Sequence, residues 1–180
     1  MNDIGNDEGP AELGIVGDLT ENAADLHDKL ISIPRGGECI LYFDSPGGSP
    51  YCAASLMNLM IFRELRATGI VTGECSSAAL WPLAACQRRI VTPYSVLLFH
   101  PMRWQSEEHV QLNEAAEWAR HFGYLEEQMD RLLAEMLMVE PEWLDKWLRP
   151  GCYVSGPEFA KAGLAELVDP ADIRRASGDQ

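Results

Sequence analysis

Basic residues are scarce in this chain. Lys and Arg number 14 against 28 Asp and Glu, for a formal charge of −14. That balance argues against nucleic acid and anionic membrane surfaces as partners, since both demand a cationic face. Long hydrophobic runs are missing too, and none approaches the roughly 20 residues of a membrane span. The opening Met1-Asn2-Asp3 lacks the basic-then-apolar order of a secretory signal. Cys39, Cys52, Cys75, Cys86 and Cys152 are odd in number and never spaced C-x-x-C. They read as free thiols in a reducing cytoplasm, not as a disulfide frame or zinc site. No histidine–carboxylate grouping has metal spacing. The expectation is a protein without metal or cofactor, and without internal repeats.

What is present alternates between strand-length apolar runs and helical segments. Leu13 to Val16 fits a short strand, and Thr20 fits the N-cap of a helix through about Leu30. Ile33-Pro34-Arg35-Gly36-Gly37 is a turn. Cys39-Ile40-Leu41-Tyr42-Phe43 is continuously apolar, as a buried parallel strand is. Ser49 followed by Pro50 opens the next helix, through about Leu65. Gly69 to Gly73 predicts a strand and Ala78 to Cys86 a helix disturbed by Pro82. Two short strands around 89–92 and 96–99 flank the Pro93-Tyr94 turn. This order predicts an α/β domain with right-handed crossovers.

Residues 106–138 read as one long helix. Ala115, Trp118, Phe122, Leu125, Met129, Leu132 and Met136 recur at spacings of three and four, with the glutamates mostly off that stripe. Such a stripe fits either a partner subunit or the chain's own core. Further on, Ser155-Gly156-Pro157-Glu158 has capping-box spacing, and Gly163 closes that short helix.

Three segments carry chemistry. Gly73-Glu74-Cys75-Ser76-Ser77-Ala78-Ala79 reads as a strand turning into a helix, where a hydroxyl meets unpaired amides and the positive end of the dipole. Phe99-His100-Pro101 places a candidate base at the end of a neighbouring strand. Asp44-Ser45-Pro46-Gly47-Gly48-Ser49 is a glycine corner whose amides can hold an oxyanion. Taken singly, Ser77 is a helix N-cap and the glycines are a turn; jointly they point to acyl transfer through a serine. Spacing leaves Ser76 and Ser77 both open as the nucleophile. Cys75 reads as a buried inert thiol, with a reactive thiol as the alternative. His27, His109 and His121 fall in polar helical segments and read as solvated.

These segments resemble the Clp-type proteolytic subunits. Leu41 to Gly48 is similar to that family's glycine motif and Gly73 to Ala78 to its nucleophile turn. Val96-Leu97-Leu98-Phe99-His100 resembles its histidine strand. Val154 to Glu158, Gly163-Leu164 and Val168-Asp169 resemble its C-terminal signature. The resemblance implies a crotonase-like, ClpP-like β-α spiral over residues 13–170, between an acidic tail at 1–12 and a C-terminal tail at 171–180. It implies a protruding handle helix after His100 and a serine peptidase built as homo-oligomeric or mixed stacked rings. Ser77 would be the nucleophile, His100 the general base, and the amides of Gly48 and Ala78 the oxyanion hole. The substrate would be peptide or unfolded protein. An ATP-driven unfoldase is the implied partner, docking where Tyr42 and Phe62 lie. Gly151 occupies the place of the family's triad aspartate, so the alternative is a weak or inactive structural subunit of such a ring. A Ser/Lys dyad would need Lys29, Lys146 or Lys161, which lie outside the matched motifs. Acyl-CoA chemistry has no CoA-binding motif here.

Overall fold

Among the described residues, seven strands form a single sheet because their apolar runs are shielded by helices on the connecting segments. The structure, a computed structural model, describes residues 9–103, 105 and 109–177. Strands β1 (Ala11–Val16), β2 (Glu38–Ser45), β3 (Arg66–Ser76), β4 (Arg88–Val91) and β7 (Glu166–Leu167) run parallel in that order. Strand β3 has two neighbours on one side. Thr68–Val71 pairs with β4, and Glu74–Ser76 pairs with β5 (Val96–Phe99), which in turn takes β6 (Cys152–Ser155) antiparallel. This sharing explains why β3 runs to Ser76, beyond the Gly73 end expected from its composition.

Helices α1 (Leu19–Ser32), α2 (Pro50–Phe62) and α3 (Leu80–Ala84) follow β1, β2 and β3. The cap of α1 is Asp18, which accepts the Thr20 N–H at 2.7 Å, so Thr20 itself lies inside the first turn. Ser49 does cap α2 with Pro50 at its first position, though without a side-chain bond. The helix expected at 78–86 is a 3₁₀ turn at Ser77–Ala79 followed by the short α3. Pro82 lies within that short α3, consistent with its missing donor.

Helix α4 (Leu112–Leu137) is the expected long element, starting later than residue 106; residues 106–108 lie outside the described ones. Its second half buries Met129, Leu133, Ala134 and Leu137, whereas Leu112 and Tyr124 in its first half are exposed. The apolar stripe therefore meets the core from Leu125 onward. Two helices had no counterpart in the sequence reading. Helix α5 (Pro141–Leu148) buries Leu144 and Leu148. Helix α7 (Pro170–Ser177) falls where a tail from 171 was expected. Asp169 starts it by accepting the Ala171 N–H at 2.8 Å, with Pro170 needing no donor at that position. At the other end, Ala11 and Glu12 belong to β1, and residues 1–8 lie outside the described ones. The Ser155–Glu158 capping box forms as its spacing predicts, opening α6 (Gly156–Lys161).

Candidate active site

Parallel pairing of β3 with β5 sets Ser76 opposite Leu98. Ser77 and His100 thus leave the carboxyl ends of adjacent strands, where open α/β sheets place their ligands. Ser77 adopts φ +53°, a left-handed conformation that a side-chain-bearing residue holds only under constraint from its surroundings. Part of that constraint is the glycine corner. Gly47 has φ +100°, and a Cβ on it would lie 2.7 Å from the Ser76 carbonyl oxygen and 2.9 Å from both Ala78 N and Ser77 Cβ. Only glycine lets the two backbones approach this closely.

The corner is pinned from behind by the start of α1. Gly47 O accepts the Leu19 N–H at 2.8 Å, and Thr20 Oγ1 accepts the Ser49 N–H at 2.9 Å. Ser45 Oγ donates to Gly17 O at 2.6 Å and accepts the Gly47 N–H at 3.2 Å. The first turn of α1 therefore positions Gly48.

One pocket of about 200 Å3 is lined by Gly48, Ser77, Ala78 and His100, the residues expected from the sequence. Ser76 lies elsewhere. It is buried, and its Oγ has no hydrogen-bond partner among the described residues. Cys75 is fully buried, and burial pushes its thiol well up, which suits an inert side chain. Ser77 and His100 make no hydrogen bond to each other among the described residues. Catalytic hydrogen bonds are often formed only once substrate is bound.

The group orienting the imidazole is a backbone carbonyl. His100 Nδ1 lies 2.6 Å from Pro101 O, and because a carbonyl only accepts, Nδ1 carries the proton. Nε2 is then left with its lone pair. Gly151 lies directly against this histidine: β6 pairs with β5 so that Cys152 faces Phe99. A Cβ at Gly151 would come within 3.1 Å of His100 Cβ and Phe99 O, at φ +110°. The position is adjacent to His100 but built for a residue without a side chain. Asp145 is not a substitute, since it pairs with Arg149 and does not line the pocket.

Of the other histidines, His109 is exposed as expected, whereas His27 and His121 are half-buried with side-chain partners. His27 Nε2 lies 2.7 Å from Ser55 Oγ, and its Nδ1 2.6 Å from Ala23 O. This Ser–His hydrogen bond links α1 to α2, and neither residue lines the pocket. His121 Nε2 meets Tyr51 Oη at 2.7 Å, and His109 lies in a turn before α4 with φ +72°.

Two carboxylates of the pocket were not expected from the sequence. Glu126 and Asp130, one helical turn apart on α4, both line it. Glu126 Oε1 accepts the Met102 N–H at 2.7 Å. Asp130 Oδ2 pairs with Arg149 at 2.8 Å. Burial pushes Asp130 up to about 6, with Glu126 and Asp145 adding to the rise while Arg149 opposes it. Their i, i+4 spacing was visible, but nothing local said which face of α4 would meet Ser77. Among the described residues no cluster of three or more His, Cys, Asp or Glu could hold a metal ion. None of the described helices is long and apolar enough to cross a membrane.

The family model described as Clp protease matches residues 21–170. The chain belongs to the Clp protease family. Among solved structures, an asparagine-to-aspartate mutant of ClpP1 from Listeria monocytogenes superposes with a TM-score of 0.77 at 19% identity, covering 89% of this chain and 92% of that one. The fold is thus that of a ClpP-like proteolytic subunit. No curated protein matches the chain. Membership places this Clp-family chain among serine peptidases as a class.

Proposed function

We propose that the chain is a Clp-like serine endopeptidase that hydrolyses peptides or unfolded proteins through an acyl-enzyme. The observation that carries this reading is the shared pocket of Ser77, His100, Gly48 and Ala78. In this reading Ser77 Oγ attacks the scissile carbonyl carbon while His100 Nε2 takes the hydroxyl proton. The oxyanion forms against the N–H groups of Gly48 and Ala78. Collapse breaks the C–N bond, and His100 returns its proton to the leaving amine. Water then enters and gives a proton to Nε2 as its oxygen attacks the acyl carbon; collapse breaks the ester bond, and Ser77 Oγ takes the proton back from Nε2. Throughout, Nδ1–H stays on the Pro101 carbonyl, which holds the tautomer without supplying a full negative charge. The chemistry requires no cofactor.

The assembly belongs to the same proposal: homo-oligomeric or mixed stacked rings in the cytoplasm, with α4 as the handle between rings. Phe62 is 76% exposed and Tyr42 donates to Glu12 at 3.1 Å; in this reading both lie on a docking surface for an ATP-driven unfoldase. A second reading, an inactive structural subunit of a ring, is favoured by Gly151 and by the absent Ser77–His100 hydrogen bond. Hydrolysis of a denatured protein by the purified assembly, with its native mass recorded, separates the two. A pure homo-oligomer whose turnover disappears in Ser77→Ala supports the peptidase. Inactivity of the pure protein, with activity only in a mixed ring whose other subunit carries it, supports the structural reading.

A further inference from the structure

Two carboxylates, Glu126 and Asp130, line the Ser77 pocket, and Asp130 shares its guanidinium partner with Asp145, which lies outside the lining. Arg149 gives one terminal nitrogen to Asp130 Oδ2 at 2.8 Å and the other to Asp145. Glu126 is held by a neutral donor, the Met102 N–H. Asp130 Oδ1 and Glu126 Oε2 accept no hydrogen bond among the described residues. The Asp130 side chain is only 16% exposed, so solvent compensates it poorly. The cation that lines the pocket, Arg103, is itself exposed and screened by water and salt. Pro50, Trp81 and Met102 give the same pocket an apolar lining. Trp81 is fixed in place by its Nε1–H on Met129 O at 2.8 Å.

A pocket lined by apolar side chains and two carboxylates, each with one oxygen free of protein donors among the described residues, fits a side chain with a methylene stem and a cationic head. We propose that this pocket seats a lysine or arginine of the peptide, the residue whose carbonyl Ser77 attacks, with Asp130 and Glu126 as its specificity-determining carboxylates. The inference rests on Ser77 being the nucleophile. It follows that acidic side chains are rejected here by like charge. The groups acting on Asp130 are Glu126 on its own helix and Arg149 and Asp145 from the α5 side. A bound cation favours the ionised form of Asp130, so preference for lysine rises as pH climbs through about 6.

The test is a series of fluorogenic peptide amides identical except for lysine, arginine, leucine or glutamate at that residue. Lysine and arginine are expected to exceed leucine in kcat/KM by about 10-fold or more at pH 7.5, with glutamate the poorest. The lysine-to-leucine ratio is expected to rise across pH 6 in the wild type and to lose that rise in Asp130→Asn. Because Asp130 also braces Arg149, Glu126→Gln gives an independent arm and is expected to lower the ratio as well. Leucine matching or exceeding lysine, or a ratio unmoved by either substitution, overturns the inference. A fluorophosphonate reagent run alongside tells which claim has failed. If Ser77 is modified while leucine wins, the specificity falls alone; if Ser77 is untouched, it falls together with the peptidase reading.

Discussion

His100 donates its Nδ1–H to the carbonyl oxygen of its own chain neighbour, Pro101, at 2.6 Å. A serine triad places a carboxylate at that nitrogen, and its loss costs roughly 10⁴ in kcat largely through the wrong tautomer. The Pro101 carbonyl holds the right tautomer, so the expected deficit is the smaller, electrostatic part: the imidazolium formed during attack meets a dipole instead of a charge.

Restoring the acid at its expected place is predicted to fail. Gly151 has φ +110°, and a Cβ added there would lie 3.1 Å from His100 Cβ, so Gly151→Asp forces both strain and a shift of His100. Gly151→Ala is expected to lose about 1–2 kcal/mol of stability from the left-handed backbone alone. Gly151→Asp is expected to lose at least as much and gain no turnover. Thermal unfolding and peptide hydrolysis on both variants check this.

Gly47→Ala probes the oxyanion corner. The added Cβ meets Ser76 O at 2.7 Å and Ala78 N at 2.9 Å, so the nucleophile turn and the glycine corner are driven apart. The expected result is a fall in kcat of about 10²–10³-fold, the size seen when one oxyanion donor is lost. Circular dichroism should show the fold retained.

Asp130 ties folding to pH with a definite sign. Its carboxyl is raised from 3.8 to about 6, so between those values the folded chain holds a proton that the unfolded chain has lost. Its contribution to stability is therefore greatest below about 4 and is lost as pH rises to about 6. Asp130→Asn removes this dependence. The difference in unfolding free energy between variant and wild type is expected to shift in the variant's favour from pH 4 to pH 7, measured by urea denaturation.

Phe99, whose chain neighbour is His100, packs on rings of α5 and α6, with Trp147 at 5.0 Å and Phe159 at 6.3 Å. Phe99→Ala is expected to cost about 3–5 kcal/mol. Since His100 follows directly, kcat should also fall in whatever fraction remains folded.

The parts of this structure that local chemistry governs were readable from the residues. The apolar run Cys39–Phe43, the Ser49-Pro50 helix start and the Ser155–Glu158 capping box each write their conformation in adjacent side chains. The glycine corner and Ser77 were readable for the same reason, down to a pocket shared with His100. What escaped depends on distant partners. Strand β3 extends to Ser76 because β5 is there to pair with it. Asp130 differs from the other acids of α4 because Arg149 and Ser77 arrive from elsewhere in the chain. Thr20 looked like the cap of α1 because either Asp18 or Thr20 can cap, and only the approach of Ser49 decides that Thr20 serves the glycine corner.

The central claim, that Ser77 is the activated nucleophile, is tested most directly by site-mapped labelling. The assembled protein is treated with a fluorophosphonate, digested, and the modified residue located by mass spectrometry. The prediction is a single modification on Ser77, abolished in Ser77→Ala, strongly slowed in His100→Ala, and retained in Ser76→Ala. An unmodified folded protein, or a label that persists in Ser77→Ala, contradicts it.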